Sequence, residues 1–378
     1  MKIIISRIDL ISLIGKIQNA VPAKPSIPIL ANVLLEAIDD QLILTATDLS
    51  ISLRAHTDAK VIEEGSITLP ARKFFQLIRE LTAPMVEIHS TSPETASINA
   101  GTSHFKIQGM HKTEFPTFPD LTDGISFTTT TTSLKEMLTR SSFAAAREDS
   151  RQILNGVCLS NIDQLMTFIG TDGKRLAKIH TLIDTPLDYN TSSIIPLRIV
   201  DEMVRALDEK EAFAKVFIVS DKISLEIGQV ILVGKLSSSQ YPDVTRVIPE
   251  KKNQGISLHR EELMSLLRQV SLFTSDSSCS VRFSFTTGEL HLSVMSGEFG
   301  EGRANMPVNY AGEKLEIAFN PIYFLDILKH TKDETVNFNI IDSYSPGLIT
   351  DSSTAQFVIM SMRLEDAAPT PAMTSACT

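Results

Sequence analysis

The sequence predicts an α+β chain of three tandem repeats, each a pair of helices on one face of an antiparallel sheet. Three observations carry this. A helix-opening segment with matching apolar offsets occurs at Pro70, Pro196 and Asn320, about 125 residues apart, a usual single-domain length. A second amphipathic segment precedes each of these. Between the two helices come β-rich runs joined by short turns, in the same order each time.

The first helix is marked by Leu10, Leu13, Ile14 and Ile17, the i, i+3, i+4, i+7 stripe of a helix lying on a core. Ser6 and Asp9 stand before it at capping-box spacing. Leu134, Met137 and Leu138 repeat the stripe after Ser133 and Glu136, and Leu263, Leu266, Leu267 and Val270 repeat it again. In the second helix, Pro70 takes the first position, where its missing N–H costs nothing. Phe74, Leu77, Ile78 and Leu81 then face the core, with Arg72, Lys73, Gln76 and Arg79 opposite. Val200, Met203, Val204 and Leu207 copy this stripe, as do Phe324, Ile327 and Leu328, with Thr331 in the last place.

Val33–Ile38, Asp39-Asp40 and Leu42–Thr47 read as a hairpin. Its counterparts are Val157–Ser160 with Leu165–Ile169, and Val281–Phe285 with Leu290–Val294. Further strands follow each second helix, such as Lys215–Val219 and Val336–Ile340. Boundaries fall in the turn-rich stretches Phe115–Asp120 and Tyr241–Asn253. The expected domains are 1–122, 126–248 and 254–364, with 365–378 as a disordered tail poor in apolar bulk.

Hydrophobic content of 43% and charged content of 21% fit a soluble globular protein. The chain lacks a run of roughly 18 apolar residues and opens on a strand-like segment without a signal peptide, so a cytoplasmic protein with no membrane partner is expected. Cys158, Cys279 and Cys377 are far apart, which argues against a disulfide framework or a zinc site. No metal and no cofactor is expected. His89, His104, His180 and His291 lie in strand-like runs without ligand spacing.

Gly170–Arg175 has glycines and a lysine but not the spacing of a phosphate loop. Thr171-Asp172 recurs as Thr47-Asp48 at the same place in the repeat. One reading is a carboxylate dyad, making the chain a hydrolase. The reading taken here is an Asp that caps a turn, since acid catalysts need environments that differ.

The net charge of −10 taken alone argues against a nucleic-acid binder. Its distribution does not. Lys16, Lys24, Arg72, Lys73, Arg79, Arg140, Arg147, Arg151, Arg198, Arg205, Arg260, Arg268, Lys329 and Lys332 lie on or beside the helices, while acid clusters such as Asp39-Asp40, Glu63-Glu64 and Asp208-Glu209 lie mostly in turns. These cations suit ordinary solvated faces, or together a surface that draws phosphates to one place. Packed helices stand roughly 10 Å apart, so a circle of six leaves about 9 Å clear and a circle of twelve about 28 Å. One chain cannot encircle a duplex of roughly 20 Å, whereas two can.

In order along the chain stand Pro28-Ile29-Leu30, Ala46-Thr47-Asp48-Leu49, Pro70–Phe75, Leu154-Asn155-Gly156, Thr171–Ala177, Tyr241-Pro242-Asp243 and Met360–Leu364. With these signatures the chain resembles, from Met1 to Leu364, the bacterial DNA polymerase III beta subunit family, the sliding clamps. The resemblance implies three DNA-clamp domains per chain and a head-to-tail homodimeric ring of six domains, helices inside, around double-stranded DNA. It implies a non-enzymatic processivity clamp.

Phe105 and Ile107 match the family's dimer contact and Leu272 and Phe273 its partner surface; an ordinary core role is the alternative for both pairs. The resemblance also implies a pocket for short motifs of the DNA polymerase III alpha subunit, the clamp loader and other replication and repair proteins. Matching positions are Leu154, Thr171, Gly173, Lys174, Arg175, Leu176, Pro242, Arg246, Val247, Asn320, Tyr323, Val358, Met360, Met362 and Arg363. Matching DNA-facing positions are Lys24, Arg72, Lys73, Arg151, Gln152 and Arg198. The chain departs from the family pattern at Lys174, where His is common, at Ser278, where an aromatic is common, and at Ser361, where Pro is common. The rival binding-module reading is a monomeric three-domain peptide adaptor that never encloses DNA.

Overall fold

A computed structural model describes residues 1–121, 124–183, 191–207, 211–219, 221–237, 239–250, 255–275 and 279–363. Ser278, the Asp208-Glu209 pair, Lys251–Asn253, the 254 and 364 ends of the third domain, the 122 end of the first and the tail 365–378 lie outside them. Among the described residues are six α-helices: α1 Arg7–Ile17, α2 Ala71–Glu80, α3 Thr131–Ser142, α4 Leu197–Ala206, α5 Arg260–Ser271 and α6 Pro321–Lys329. The backbone clusters into two compact units. Unit 1 holds Met1–Thr139, Ser150–Phe168 and Thr181–Tyr241; unit 2 holds Arg140–Asp149, Ile169–His180 and the chain from Pro242 on.

In unit 1, a five-stranded sheet runs in the order Lys60–Glu63, Lys2–Ser6, Met85–Ser92, Thr95–Ala100, Ser103–Gln108, which leaves Ser103–Gln108 as an edge. An eight-stranded sheet runs Ile125–Thr130, Phe213–Val219, Lys222–Ile227, Val230–Lys235, Ile51–Asp58, Gln41–Thr47, Asn32–Ile38, Gly65–Pro70. Its middle pairing, Val230↔Ala55 through Gly234↔Ile51, joins a second-repeat strand to a first-repeat strand. Unit 2 makes the same joint one repeat on: Arg175–Leu182 pairs with Gln356–Ile359 from Arg175↔Ile359 to Lys178↔Gln356. Gly347–Thr350, Thr335–Asn339 and Ile256–His259 continue that ladder. A four-stranded sheet in unit 2, ordered Gly300–Pro307, Glu289–Ser296, Val281–Thr286, Leu315–Phe319, has Gly300–Pro307 at its edge.

The predicted hairpins form. Ile38 pairs with Gln41, and Asp39 and Asp40 between them sit at φ +46° and +56°, the type I′ conformation that matches strand twist. Asp163 and Gln164 repeat it at +49° and +64°. The predicted linker Phe115–Asp120 is pinned down: Phe115 is buried with Ile29, Leu30 and Leu34, and the Arg54 guanidinium lies 4.1 Å from the Phe118 ring centroid. In unit 2 the core is aromatic. Phe283, Phe319, Phe324 and Phe338 are fully buried, with neighbouring ring centroids such as Phe283–Phe324 at 5.1 Å and Phe324–Phe338 at 5.3 Å.

Several local expectations are corrected. Pro70 and Pro196 end edge strands and cap α2 and α4 from outside; only Pro321 takes the first helical position, behind Asn320, whose Oδ1 accepts from Ile322 N at 2.9 Å. Ser6 makes no capping bond; the Arg7 N–H goes to the Pro84 carbonyl at 2.8 Å. α3 starts before Ser133, and it is Thr130 Oγ1 that accepts from Ser133 N, at 3.2 Å. Phe75, Ile199 and Met264 are buried, while Leu77, Val204 and Leu266 are only half-buried. Each helix is therefore rotated so that the neighbouring side chain takes the core position.

Candidate functional site

Of the matching pocket residues, Thr171, Gly173, Lys174, Arg175, Leu176, Tyr323, Val358 and Met360 gather around one turn of unit 2. Thr171 Oγ1 donates to the Arg175 carbonyl at 2.6 Å and accepts from Gly173 N at 3.1 Å. Asp172 Oδ1 accepts from Lys174 N at 2.8 Å and Arg175 N at 3.0 Å. Gly173 sits at φ +84°, which glycine adopts without a Cβ clash. The same bonds recur in unit 1: Thr47 Oγ1 to the Ile51 carbonyl at 2.9 Å, Leu49 N to Thr47 Oγ1 at 3.0 Å, and Ser50 N and Ile51 N to Asp48 Oδ1, each at 2.8 Å. Both aspartates cap turns, as read from the sequence.

Arg175 is the hub of the unit 2 site. Its Nε donates to Asp172 Oδ2 at 3.2 Å and its Nη1 to Asp326 Oδ2 at 2.7 Å. Its guanidinium lies 4.7 Å from the Tyr323 ring centroid and 5.5 Å from that of Phe143. Burial pushes the Asp326 carboxyl up, but hydrogen bonds from Arg175 and Lys329 outweigh it and hold the pKa below the usual aspartate value. Phe143 stacks on His330 at 4.0 Å, and His330 Nδ1 donates to the Asp326 carbonyl at 2.7 Å. Below this, Arg140 is buried and paired with Asp351, donates to the His330 carbonyl at 2.7 Å and to Ser353 Oγ at 2.9 Å. Arg140 is thus a structural cation, which corrects its place among the solvated helix cations.

The C-terminal strand closes the site. Met360 N donates to the Lys174 carbonyl at 2.9 Å and Met362 N to the Ala318 carbonyl at 2.8 Å. Leu176 and Val358 pair across the ladder and are buried, so they form a floor. Lys174, Pro242, Arg246, Val247, Met360 and Arg363 are exposed, and Tyr323, Asn320 and Met362 half-buried. Lys174 Nζ lies 5.9 Å from the Tyr323 ring centroid. Apolar faces with a few polar anchors suit a short peptide. Leu154 is buried in unit 1. The sequence reading missed Asp326, Phe143 and His330; comparing Asp326 with Glu202, its counterpart one repeat earlier, is the signal that marks it.

The other predicted residues fall in three places. Arg72 and Lys73 are exposed on the first turn of α2, and Arg72 Nη2 donates to the Ala23 carbonyl at 3.1 Å, which brings exposed Lys24 beside them. Arg151 and Gln152 are exposed before Leu154, and Arg198 is exposed on α4, ion-paired to Asp48. Phe105 is 40% exposed and Ile107 half-buried on the edge strand Ser103–Gln108, so a core role for Phe105 is overturned. Leu272 is 77% exposed after α5, whereas Phe273 packs under Gly302, where a Cβ would come within 2.8 Å of its ring. Among the described residues, no group of three His, Cys, Asp or Glu could hold a metal ion, and no helix is long and apolar enough to cross a membrane.

Three repeats of two helices on antiparallel strands, with strands of adjoining repeats sharing a sheet, are the architecture of a three-domain clamp. The comparisons agree. The N-terminal, central and C-terminal domains of the DNA polymerase III beta subunit match residues 1–119, 128–243 and 245–364. The beta sliding clamp of Chlamydia muridarum is 50% identical over 366 residues, covering 97% of this chain and 100% of the relative. That of Escherichia coli K12 is 29% identical over 367 residues, covering 96% and 100%. The solved sliding clamp of Bacillus subtilis superposes with a TM-score of 0.92 at 25% identity over 97% of this chain and 100% of its own. The Pseudomonas aeruginosa clamp bound to griselimycin gives 0.92 at 28%, over 96% and 100%. The chain belongs to the DNA polymerase III beta subunit family, the beta sliding clamps. Its function is that of the family: a non-catalytic processivity factor of DNA replication, acting with DNA and DNA polymerase III.

Proposed function

We propose that two copies of the chain, working in the cytoplasm, close head to tail into a ring around duplex DNA. The domains divide near 122–126 and 248–254. The observation that carries this is the pair of sheet edges, Ser103–Gln108 with exposed Phe105 in unit 1 and Gly300–Pro307 near exposed Leu272 in unit 2. An exposed edge with a large apolar residue is a template for another chain. Two unlike edges pair heterologously, and such contacts end in a ring when the rotation closes. Lys24, Arg72, Lys73, Arg151, Gln152 and Arg198 face the duplex. A ring needs no grip on bases: weak phosphate contacts position the duplex and leave it free to slide.

The unit 2 pocket takes short linear motifs of the polymerase alpha subunit, the clamp loader and other replication and repair proteins. Light scattering at low micromolar concentration tests the ring. A dimeric mass is expected, with monomers for Phe105→Arg and for Leu272→Glu. Wild-type dimer is expected to stay on circular DNA and run off after linearisation. A monomeric wild type, or equal loss from both templates, leaves the peptide-adaptor reading instead.

A further inference from the structure

Tyr323 and Asp326 lie three residues apart on α6, so they share a face. That face meets Arg175 with two different contacts: the Tyr323 ring beside the guanidinium at 4.7 Å and the Asp326 carboxylate on Nη1 at 2.7 Å. Asp172 takes Nε, and Nη2 makes no hydrogen bond among the described residues. Asp326 is held in its turn by Lys329 Nζ on Oδ1 at 3.0 Å and by His330 on its carbonyl. Unit 1 supplies the contrast. Glu202 occupies the same place on α4, but it accepts from Asn19 Nδ2 at 3.2 Å and pairs with Arg205, while the turn's Asp48 is taken by Arg198. Only in unit 2, among the described residues, does the helix acid reach a cation of the turn.

We propose that Asp326 is a positioning residue of the peptide pocket: by clamping Arg175 against Tyr323 it makes one fixed wall from a long side chain and a half-buried ring. This rests on the pocket reading given above. An arginine left loose has to be immobilised when a peptide arrives, and that ordering weakens binding. A clamped one presents its Nη2 at no such cost, to an acceptor on the peptide.

The test uses the full chain and a fluorescent peptide carrying the clamp-binding motif of the DNA polymerase III alpha subunit, read by anisotropy. Asp326→Asn is expected to weaken binding about tenfold, in line with loss of a charge-assisted hydrogen bond. Asp326→Glu, which keeps the carboxylate, is expected to stay within about threefold. Arg175→Ala is expected to weaken binding at least as much, and adding Asp326→Asn to it to change affinity less than about twofold, because the acid acts through the arginine. Should Asp326→Asn melt early, Arg175→Lys probes the clamp from the other side. It keeps the charge but loses the two-nitrogen fork, and an affinity about tenfold below wild type is expected. Wild-type affinity in Asp326→Asn or Arg175→Lys, or losses that multiply in the double variant, overturns the positioning role. A wild-type chain that does not take the peptide removes the pocket reading itself, and this inference with it.

Discussion

The two units contain the same joint built twice. In each, a Thr-Asp turn faces a helix that follows Pro196 or Asn320, and the strand closing the joint makes equivalent bonds. Lys235 N reaches the Ser50 carbonyl at 2.9 Å, as Met360 N reaches Lys174; Ser237 N reaches the Ile194 carbonyl at 2.9 Å, as Met362 N reaches Ala318. The side chains diverge. In unit 1, Lys16 meets the Gln229 amide at 3.3 Å, Asn19 meets Glu202, and a polar cleft of about 430 Å³ opens between α1 and α4. One repeat on, Arg140 is buried on Asp351, Phe143 stacks on His330, and Asp326 reaches the turn. Backbone duplication supplies a frame; side-chain substitution makes one copy a solvated cleft and gives the other a buried ion pair and an acid that reaches the turn.

The largest expected contrast is between the two equivalent cations. The Arg140 side chain is 5% exposed and that of Asp351 0%. Arg140→Ala strands a buried carboxylate, and such losses cost about 3–5 kcal/mol. Lys16 is exposed, and Lys16→Ala is expected to stay within about 0.5 kcal/mol. Urea unfolding of both variants measures this. Similar midpoints would mean that the Arg140 pair is no stronger than a surface contact, and the contrast would collapse.

A smaller effect separates the turns. Leu49 holds φ +75° where its counterpart Gly173 holds +84°. A bulky residue there is strained by about 1 kcal/mol or more. Leu49 is 54% exposed, so Leu49→Gly gives up little packing and is expected to stabilise the chain slightly. Gly173→Ala is expected to destabilise it by about 1 kcal/mol. Thermal melts of opposite sign sharpen the comparison, and a shift of the same sign breaks it.

The repeats were legible because apolar offsets survive duplication: Leu10, Leu13, Ile14 and Ile17 are all buried, as are Phe324, Ile327 and Leu328. Helix rotation was not, since Phe74-Phe75 offers two neighbouring apolar residues and only packing decides that Phe75 goes in and Leu77 partly out. Pocket positions came from the family resemblance, not from periodicity. Arg140 misled because Glu136 stands four residues before it, the spacing of an ordinary surface pair, while its partner Asp351 is remote in sequence. Asp326 likewise reads as one polar residue on a solvated face until the turn brings Arg175 to it.

The smallest contrast is in acid sensitivity. Burial lowers the His330 pKa from 6.5, against the raising influence of its bond to Asp326, so the folded chain favours the neutral ring. Below pH 6.5 the unfolded chain then binds more protons than the folded one, and stability falls with pH down to the lowered folded value. Asp326 and Asp351 are also lowered, from 3.8: burial pushes both up, but their hydrogen bonds and neighbouring cations win. Their stabilisation is present above pH 3.8 and disappears below it, so it lies outside the window between about pH 4.5 and 6.5 in which His330 acts. Unit 1 has Ala206 in that place, with nothing to titrate. His330→Phe keeps a ring for Phe143 and removes the proton site. Urea midpoints between pH 5 and 7 are expected to fall with pH in the wild type and to flatten in His330→Phe. An unchanged slope would assign the acid sensitivity to other groups and leave the two joints alike in this respect.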